Sequence, residues 1–345
     1  MALIDKEFLI IGENVHTTRA ITNKSPRLIE NKGVQGLGFE SVKGEQLFLP
    51  LSKEIMSSQE YRQKRIKHMK LAVQTGMSNI PESHIAIEYL HKAVSDQEDA
   101  GANFIDINID EISVDPAIQA EAMKWLVEQV AEMTDLPLSI DSSLLELIRV
   151  GLEVASSNKS ENRVMLNSAS LERAEALDLA VEFNARVIVT AAGESAMPSG
   201  VDERLQNVSK MVNSAIGMGI EISDLFVDPL VFPISVDSTY GNDCLNAIVE
   251  IRKEFGEEIH ITGGMSNVSF GIPMRSVINS VFLVLATEAG ADSGIIDPIM
   301  NPMSQLSGID RSSESYILAA NALLGKDEFC SEYISAWREG RVVAF

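Results

Sequence analysis

The sequence predicts an α/β protein folded as a (β/α)8 TIM barrel. Three observations carry that prediction. Eight short apolar runs alternate with helix-length segments, several of those runs end on Asp or Asn, and no glycine-rich phosphate loop follows the first. Strand-helix units repeated eight times close most simply into a barrel, whose strand carboxyl ends ring one mouth. A doubly wound open sheet is the competing arrangement, but Gly12-Glu-Asn-Val-His-Thr lacks the spacing of its dinucleotide fingerprint.

The first run, Phe8-Leu-Ile-Ile-Gly12, is a buried-type strand ending at Glu13-Asn14. From about 17 to 79 the period is lost and base accumulates, from Lys24 and Arg27 through Arg62, Lys64, Arg65 and Lys67 to Lys70. Only 58–74 reads as helix there; the rest reads as loop. So long a connection is uncommon without a job. It predicts an insertion in the first βα connection, either a solvated elaboration or a segment that lies over the mouth and docks a partner.

Regularity then returns. Pro81-Glu82 starts a helix to about Ala100, and Gly101 precedes a strand over 103–108. Helix 117–133 leads to strand 137–141, helix 144–155 to strand 163–167, and helix 171–183 to strand 186–190. Helix 202–218 leads to strand 225–228, helix 242–255 to strand 258–262, and helix 275–289 to strand 292–297. Two last helices, near 312–324 and 327–337, complete what reads as a single domain over 1–345.

Composition narrows the partners. Lys and Arg number 28 against 50 Asp and Glu, a net charge of −22, which excludes a phosphate-neutralising surface and hence a nucleic-acid partner. The two cysteines, Cys244 and Cys330, form no Cys-x-x-Cys pair, as expected of a reducing cytoplasm and unlike a structural zinc site. The apolar run in MALIDKEFLIIGEN is too short for a signal peptide, and none reaches the roughly 20 residues of a membrane span. A cytoplasmic, soluble protein is the expectation.

Read at the strand ends, the sequence offers Glu13 and Asn14, Asp106 and Asn108, Asp141, Asn167, Thr190, Asp228, Thr262 with Asn267, and Asp297. Asp141 before Ser-Ser-Leu and Asn167 before Ser-Ala-Ser also suit helix caps, and Asp228-Pro and Asp297-Pro suit turns. That every one is a cap is disfavoured by their gathering on one rim. Mg²⁺ would be held by one or two carboxylates with a phosphate, but no phosphate-gripping loop is present, so no metal is assigned. A carboxylate instead matches adjacent N–H donors on a neutral heterocycle such as a pterin, and Asn follows a mixed donor and acceptor edge. A wrong ring would leave buried groups unpaired. Among the five histidines, His260 reads as a core position between isoleucines, and His16, just past the first strand, as a candidate for the mouth.

The segments DINID (106–110), PLSIDSS (137–143), MLNSAS (165–170), LFVDPLVFPIS (225–235) and MSNVSFGIPMRSVINSVFLVLATEAG (265–290) resemble the methyltetrahydrofolate:corrinoid methyltransferases. Those are pterin-binding barrels related to dihydropteroate synthase and to the folate domain of cobalamin-dependent methionine synthase. The resemblance covers 8–14 and about 81–298. It implies that Asp141, Asn167 and Asp228 bond the pterin, with Asp106, Asn108 and Glu13 around them. It places Asn267 beside N5 of the folate as the catalytic group, and Arg275 as the basic residue after the Ser-Asn-Val-Ser loop, a position that equally suits the start of a helix. Tetrahydrofolate or 5-methyltetrahydrofolate is then the substrate. A corrinoid (cobalamin) comes on a partner protein, since the Asp-x-His-x-x-Gly corrinoid signature is missing from this sequence. A homodimer is the family habit. Dihydropteroate synthase is the nearest rival, disfavoured because its late Lys and its Arg-x-His are replaced here by Met-Ser-Asn and Ile-Asp-Pro. A pterin-binding corrinoid partner without turnover is the third reading.

Overall fold

The computed structural model describes residues 8–158 and 163–345. The leader reading falls partly on residues 1–7, outside the described residues. The barrel strands are β1 (Leu9–His16), β2 (Phe104–Asn108), β3 (Leu138–Asp141), β4 (Met165–Ala169), β5 (Arg186–Thr190), β6 (Leu225–Asp228), β7 (His260–Ile261) and β8 (Ser293–Ile296). Their hydrogen-bonded order is β7-β6-β5-β4-β3-β2-β1-β8. A parallel bridge from Gly264 to Ile295 joins the two ends of that list, giving the predicted (β/α)8 strand order. The helices that follow successive strands are α1 (Ser83–Asp99), α2 (Pro116–Met133), α3 (Leu145–Asn158), α4 (Ala176–Glu182), α5 (Val201–Gly217), α6 (Tyr240–Phe255), α7 (Arg275–Ala289) and α8 (Glu314–Leu323).

Local chemistry explains the boundaries. Pro116 opens α2 behind Asp115, whose carboxylate accepts from Ala117 N at 2.9 Å. Gly290, at φ 115°, ends α7 in the left-handed conformation that an L side chain resists. Strand β2 is buried at all five positions, as expected of a strand covered on both faces.

The chain packs as two compact units, residues 12–166 and residues 167–345 with the start of β1. In the first, β1 runs on to His16, beyond the expected end near Glu13-Asn14. Thr17 N donates to Asn108 O at 2.9 Å, so the backbone stays laddered to β2 past the β-branched Val15. Strand β4 begins at Met165 and ends at Ala169, so Asn167 is mid-strand and α4 starts only at Ala176. Asn167 is therefore no helix cap.

The insertion is the main correction to the sequence reading. It is folded rather than loop. Leu28–Asn31, Val34–Glu40 and Gln46–Pro50 form an antiparallel three-stranded sheet, and Ile21–Thr22 pairs with Arg65–Ile66. The first hairpin turns on Lys32 and Gly33, both with positive φ (51° and 81°), the two-residue turn that suits strand twist. Lys at the first turn position hides that signal, which Asn or Asp would have announced. Leu37, Leu49 and Ile66 are fully buried and give the insertion an apolar centre.

Its anchor to α1 is polar as well as apolar. The Phe39 ring meets Tyr89 edge-on at 4.9 Å, Arg27 Nη1 donates to the Tyr89 hydroxyl at 3.1 Å, and that hydroxyl sits 3.0 Å from His68 Nδ1. Arginine offers no acceptor, so the phenol O–H donates to a neutral imidazole. Burial, with the charges of Arg27 and Arg19, pushes His68 down to about 3. The unfolded chain therefore binds the extra proton first. Stability contributed at this latch should fall as pH drops from about 6.5 towards 3, by at most about 1.4 kcal/mol per pH unit. Urea titrations across that range should show the slope, and His68→Gln should flatten it.

Candidate functional site

Residues of one strand face alternate with period two, so Asn14 and His16 share a face of β1, Asp106 and Asn108 a face of β2, and Ser139 and Asp141 a face of β3. The β2-β3 register sets Asn108 opposite Asp141 and Asp106 opposite Ser139. Asn108 Nδ2 donates to Asp141 Oδ2 at 2.9 Å. Asp106, fully buried, meets His16 Nε2 at 2.7 Å through Oδ2. Donor and acceptor atoms of His16, Asp106 and Asp141 all lie within 4.8 Å of one another. The short His16–Asp106 bond engages imidazole with carboxylate, and the Asp141 carboxylate lies beside that pair. Burial first, then the Asp106 charge, pushes Asp141 up to about 7, while His16 and Asn108 act the other way. Burial alone would lower the His16 imidazole, but its bond to Asp106 and the charges of Asp106, Asp141 and Glu13 outweigh it and raise it.

The capping alternative for Asp141 does not hold. Asp110 caps that turn, accepting from Ser143 N at 2.9 Å and from the Ser142 hydroxyl at 2.6 Å, and the Ser142 hydroxyl accepts from Leu144 N at 3.1 Å. Asp141 takes no part in that cap. Glu13 falls on the opposite face of β1 from Asn14 and His16, where Arg19 Nη1 reaches its Oε1 at 3.3 Å.

The second unit carries Asn167, Asp228, Asn267 and Arg275. Asp228, at the end of β6, accepts from Leu230 N through Oδ1 at 2.7 Å and from the Gly264 N–H. The turn role expected of it is real, yet burial still pushes its carboxyl up to about 6, against those two bonds and the Arg204 charge. Asp297, by contrast, is a turn residue, its Oδ1 accepting from Ile299 N and Met300 N, both at 3.1 Å.

Asn267 lies in a single 3-10 turn, Met265–Ser269, immediately after two glycines. A Cβ on Gly263 would stand 3.0 Å from Asp228 Oδ1, and one on Gly264 would stand 2.7 Å from Asn267 Nδ2. The Gly-Gly pair therefore lets the backbone pass in contact with both functional side chains. Arg275, the first residue of α7, braces the turn. Its Nε donates to Ser269 Oγ at 2.9 Å, its Nη2 donates to Ser266 O at 2.7 Å, and its guanidinium lies 4.3 Å over the Phe270 ring. Met265 is buried in the turn, and Phe270 lies under the Arg275 guanidinium. Half-buried Asn267 itself engages no side-chain partner among the described residues, so its carboxamide is available to a ligand.

Two features escaped the sequence reading. Arg204 is 1% exposed on α5, its Nε donating to Pro229 O at 2.8 Å with the guanidinium 5.1 Å from the Phe232 ring. Its spacing from Val208, Met211, Val212 and Ala215 puts it on the buried stripe of that helix, a signal the sequence held. His16 was placed just past the strand, whereas strand parity puts it beside Asp106. His260 is the structural residue expected, stacked on Phe226 at 4.4 Å and bonded to Asp292 Oδ2 at 3.0 Å. Both cysteines are free and buried. No described helix is long and apolar enough to cross a membrane.

Comparison with known proteins agrees with this geometry. Residues 74–297 match the family model described as pterin binding enzyme. The chain is 28% identical over 248 residues to the methylcorrinoid:tetrahydrofolate methyltransferase of Eubacterium limosum, covering 71% of this chain and 86% of that one. It is 28% identical over 238 residues to the methionine synthase of Mycobacterium tuberculosis, covering 64% of this chain but only 19% of that much longer protein. Among solved structures, dihydropteroate synthase from Xanthomonas albilineans superposes with a TM-score of 0.50 at 18% identity, over 67% of this chain and 87% of that one. Another dihydropteroate synthetase gives 0.51 at 18% identity, over 66% and 88%. These two are likenesses of fold. With the barrel strand order, the acid and amide strand ends and a family match over more than half its length, the chain belongs to the pterin-binding enzyme family.

Proposed function

We propose that this enzyme is a methyltransferase that moves a methyl group between N5 of tetrahydrofolate and the cobalt of a corrinoid carried by a partner protein. The observation that carries the reading is the Asn267 turn, which holds an unengaged carboxamide on a braced loop next to a buried, desolvated Asp228. The name of the Eubacterium limosum relative supports the same chemistry. Asp141, with Asp106 and Asn108 around it, is assigned to the pterin's N–H donors, and Asn167 and Asp228 are assigned to the pterin as the family resemblance implies.

A tertiary amine is a poor leaving group, so a nucleophilic Co(I) corrinoid can take the methyl only if charge developing on N5 is offset. Asn267 donates to N5, a contact that strengthens as that charge builds and so favours the transition state over the ground state. An amide is not an acid, so the proton N5 finally gains comes from solvent. In the reverse direction the same contacts hold tetrahydrofolate while N5 receives the methyl.

Mixing the protein with Co(I) cobalamin and 5-methyltetrahydrofolate should convert the Co(I) spectrum to that of methylcobalamin. Folate binding without that conversion, with free cobalamin and with a corrinoid protein alike, would leave a pterin-binding protein without turnover.

A further inference from the structure

We infer that His16 is a positioning residue for the pterin: by holding the Asp106 carboxylate it lets neighbouring Asp141 keep the charge that accepts the ligand's N–H donors. This rests on the pterin role proposed for Asp141 and adds what controls the charge of that carboxylate.

The geometry leaves His16 little else to do. Its Nε2 is committed to Asp106 Oδ2 at 2.7 Å, and its side chain is only 12% exposed. Asp106 is fully buried on the ligand-facing side of β2, with Asp141 in the same 4.8 Å cluster. Among the described residues Asp141 accepts one hydrogen bond, from Asn108 to Oδ2, which leaves Oδ1 for a ligand. Two carboxylates this close and this dry cannot both ionise without a counter-charge. Among the described residues, the other charged groups that act on Asp141 and His16 are acidic: Asp110 in the turn after β2 raises Asp141, and Glu13 on β1 raises His16. His16 is the cation of the cluster.

Protonated His16 with two carboxylates leaves one net negative charge, the state in which Asp141 accepts two N–H groups. Without His16 the cluster reaches the same net charge only by protonating a carboxyl. Asp141, already pushed up to about 7, is then the group that holds the proton, and a carboxylic acid O–H meets a ring N–H as donor against donor. The effect on binding should therefore depend on pH in a defined direction.

The test compares wild type, His16→Gln and the double variant His16→Gln/Asp106→Asn by calorimetric titration with tetrahydrofolate under anaerobic conditions from pH 6 to 9. If loss of His16 moves Asp141 up by one unit, its ionised fraction at pH 7 falls from about a half to about a tenth. His16→Gln should then bind about fivefold more weakly at pH 7 and approach wild type by pH 9. The double variant should lose the extra pH dependence that His16→Gln adds, because the repelling charge of Asp106 is gone, whatever Asp106 itself contributes to affinity. A structural role for His16 would instead give a loss constant across pH and not relieved by Asp106→Asn. If the double variant does not fold, the recovery of His16→Gln at pH 9 alone decides. Equal affinity of His16→Gln and wild type at every pH overturns the inference. Wild type that binds no folate at any pH overturns the pterin reading beneath it, a different result.

Discussion

Asn267→Ala should slow methyl transfer by about a hundredfold to a thousandfold while folate affinity changes only a few-fold, the size seen when one preorganised donor to developing charge is removed. The reason lies in where the carboxamide is held. Its turn is fixed from outside by Arg275 through Ser266 and Ser269, so deleting the side chain removes a donor without releasing the loop. In the reading proposed above the pterin is held by other side chains, so binding should largely survive. Single-turnover transfer from pre-bound 5-methyltetrahydrofolate measures the first quantity and calorimetric titration the second. Equal losses in both would contradict the assignment to N5.

Asp141→Ala should do the reverse, weakening folate binding by about a hundredfold or more and slowing transfer at saturation far less. A hydrogen bond to a charged group contributes about 1.5–3 kcal/mol, and this carboxylate is positioned to accept two. Asp141→Asn should bind as poorly despite its near-identical shape, because its NH2 cannot accept. Stability should move the other way. The Asp141 carboxyl is raised in the folded protein from 3.8 to about 7, so the native state holds a proton that the unfolded chain releases earlier. Stability therefore declines as pH rises from about 4 to 7 through this group, and Asp141→Asn removes the decline. At pH 8 the Asn variant should melt higher than wild type by a few degrees while having lost its ligand. A strained, functional carboxylate is the kind of group for which stability and activity trade against each other.

The barrel was legible because its cues are local. The strands at 186–190 and 225–228 and the helix at 275–289 match the sequence reading end for end, since each is a compact apolar run or a capped helix between clear breaks. The places of Asn108, Asp141 and Asp228 at strand ends were legible for another reason: short apolar runs stop where these polar residues begin. The His16–Asp106 pair was not, because it depends on β1 continuing four residues past Gly12 through polar Glu13 and Asn14, an extension set by ladder bonds rather than composition. The insertion was missed for a similar reason. Its strands are short, partly exposed and glycine-containing, so period two is weak, and Leu37 and Leu49 become core only once the hairpins pair. Arg204 lies on the buried stripe of α5, a face the sequence reading did not examine.

The two bare residues at 263 and 264 make this protein vulnerable in a way that an inventory of its functional groups would not reveal. A single added carbon at Gly264 would press on the Asn267 amide, and one at Gly263 would press on the Asp228 carboxylate in a backbone conformation (φ 153°) that already disfavours side chains. A natural variant carrying alanine there would keep every acid and amide in its sequence and still displace the Asn267 amide or the Asp228 carboxylate. Judging whether such a relative is active thus requires looking at what is lacking from two positions, not at what is present in the others.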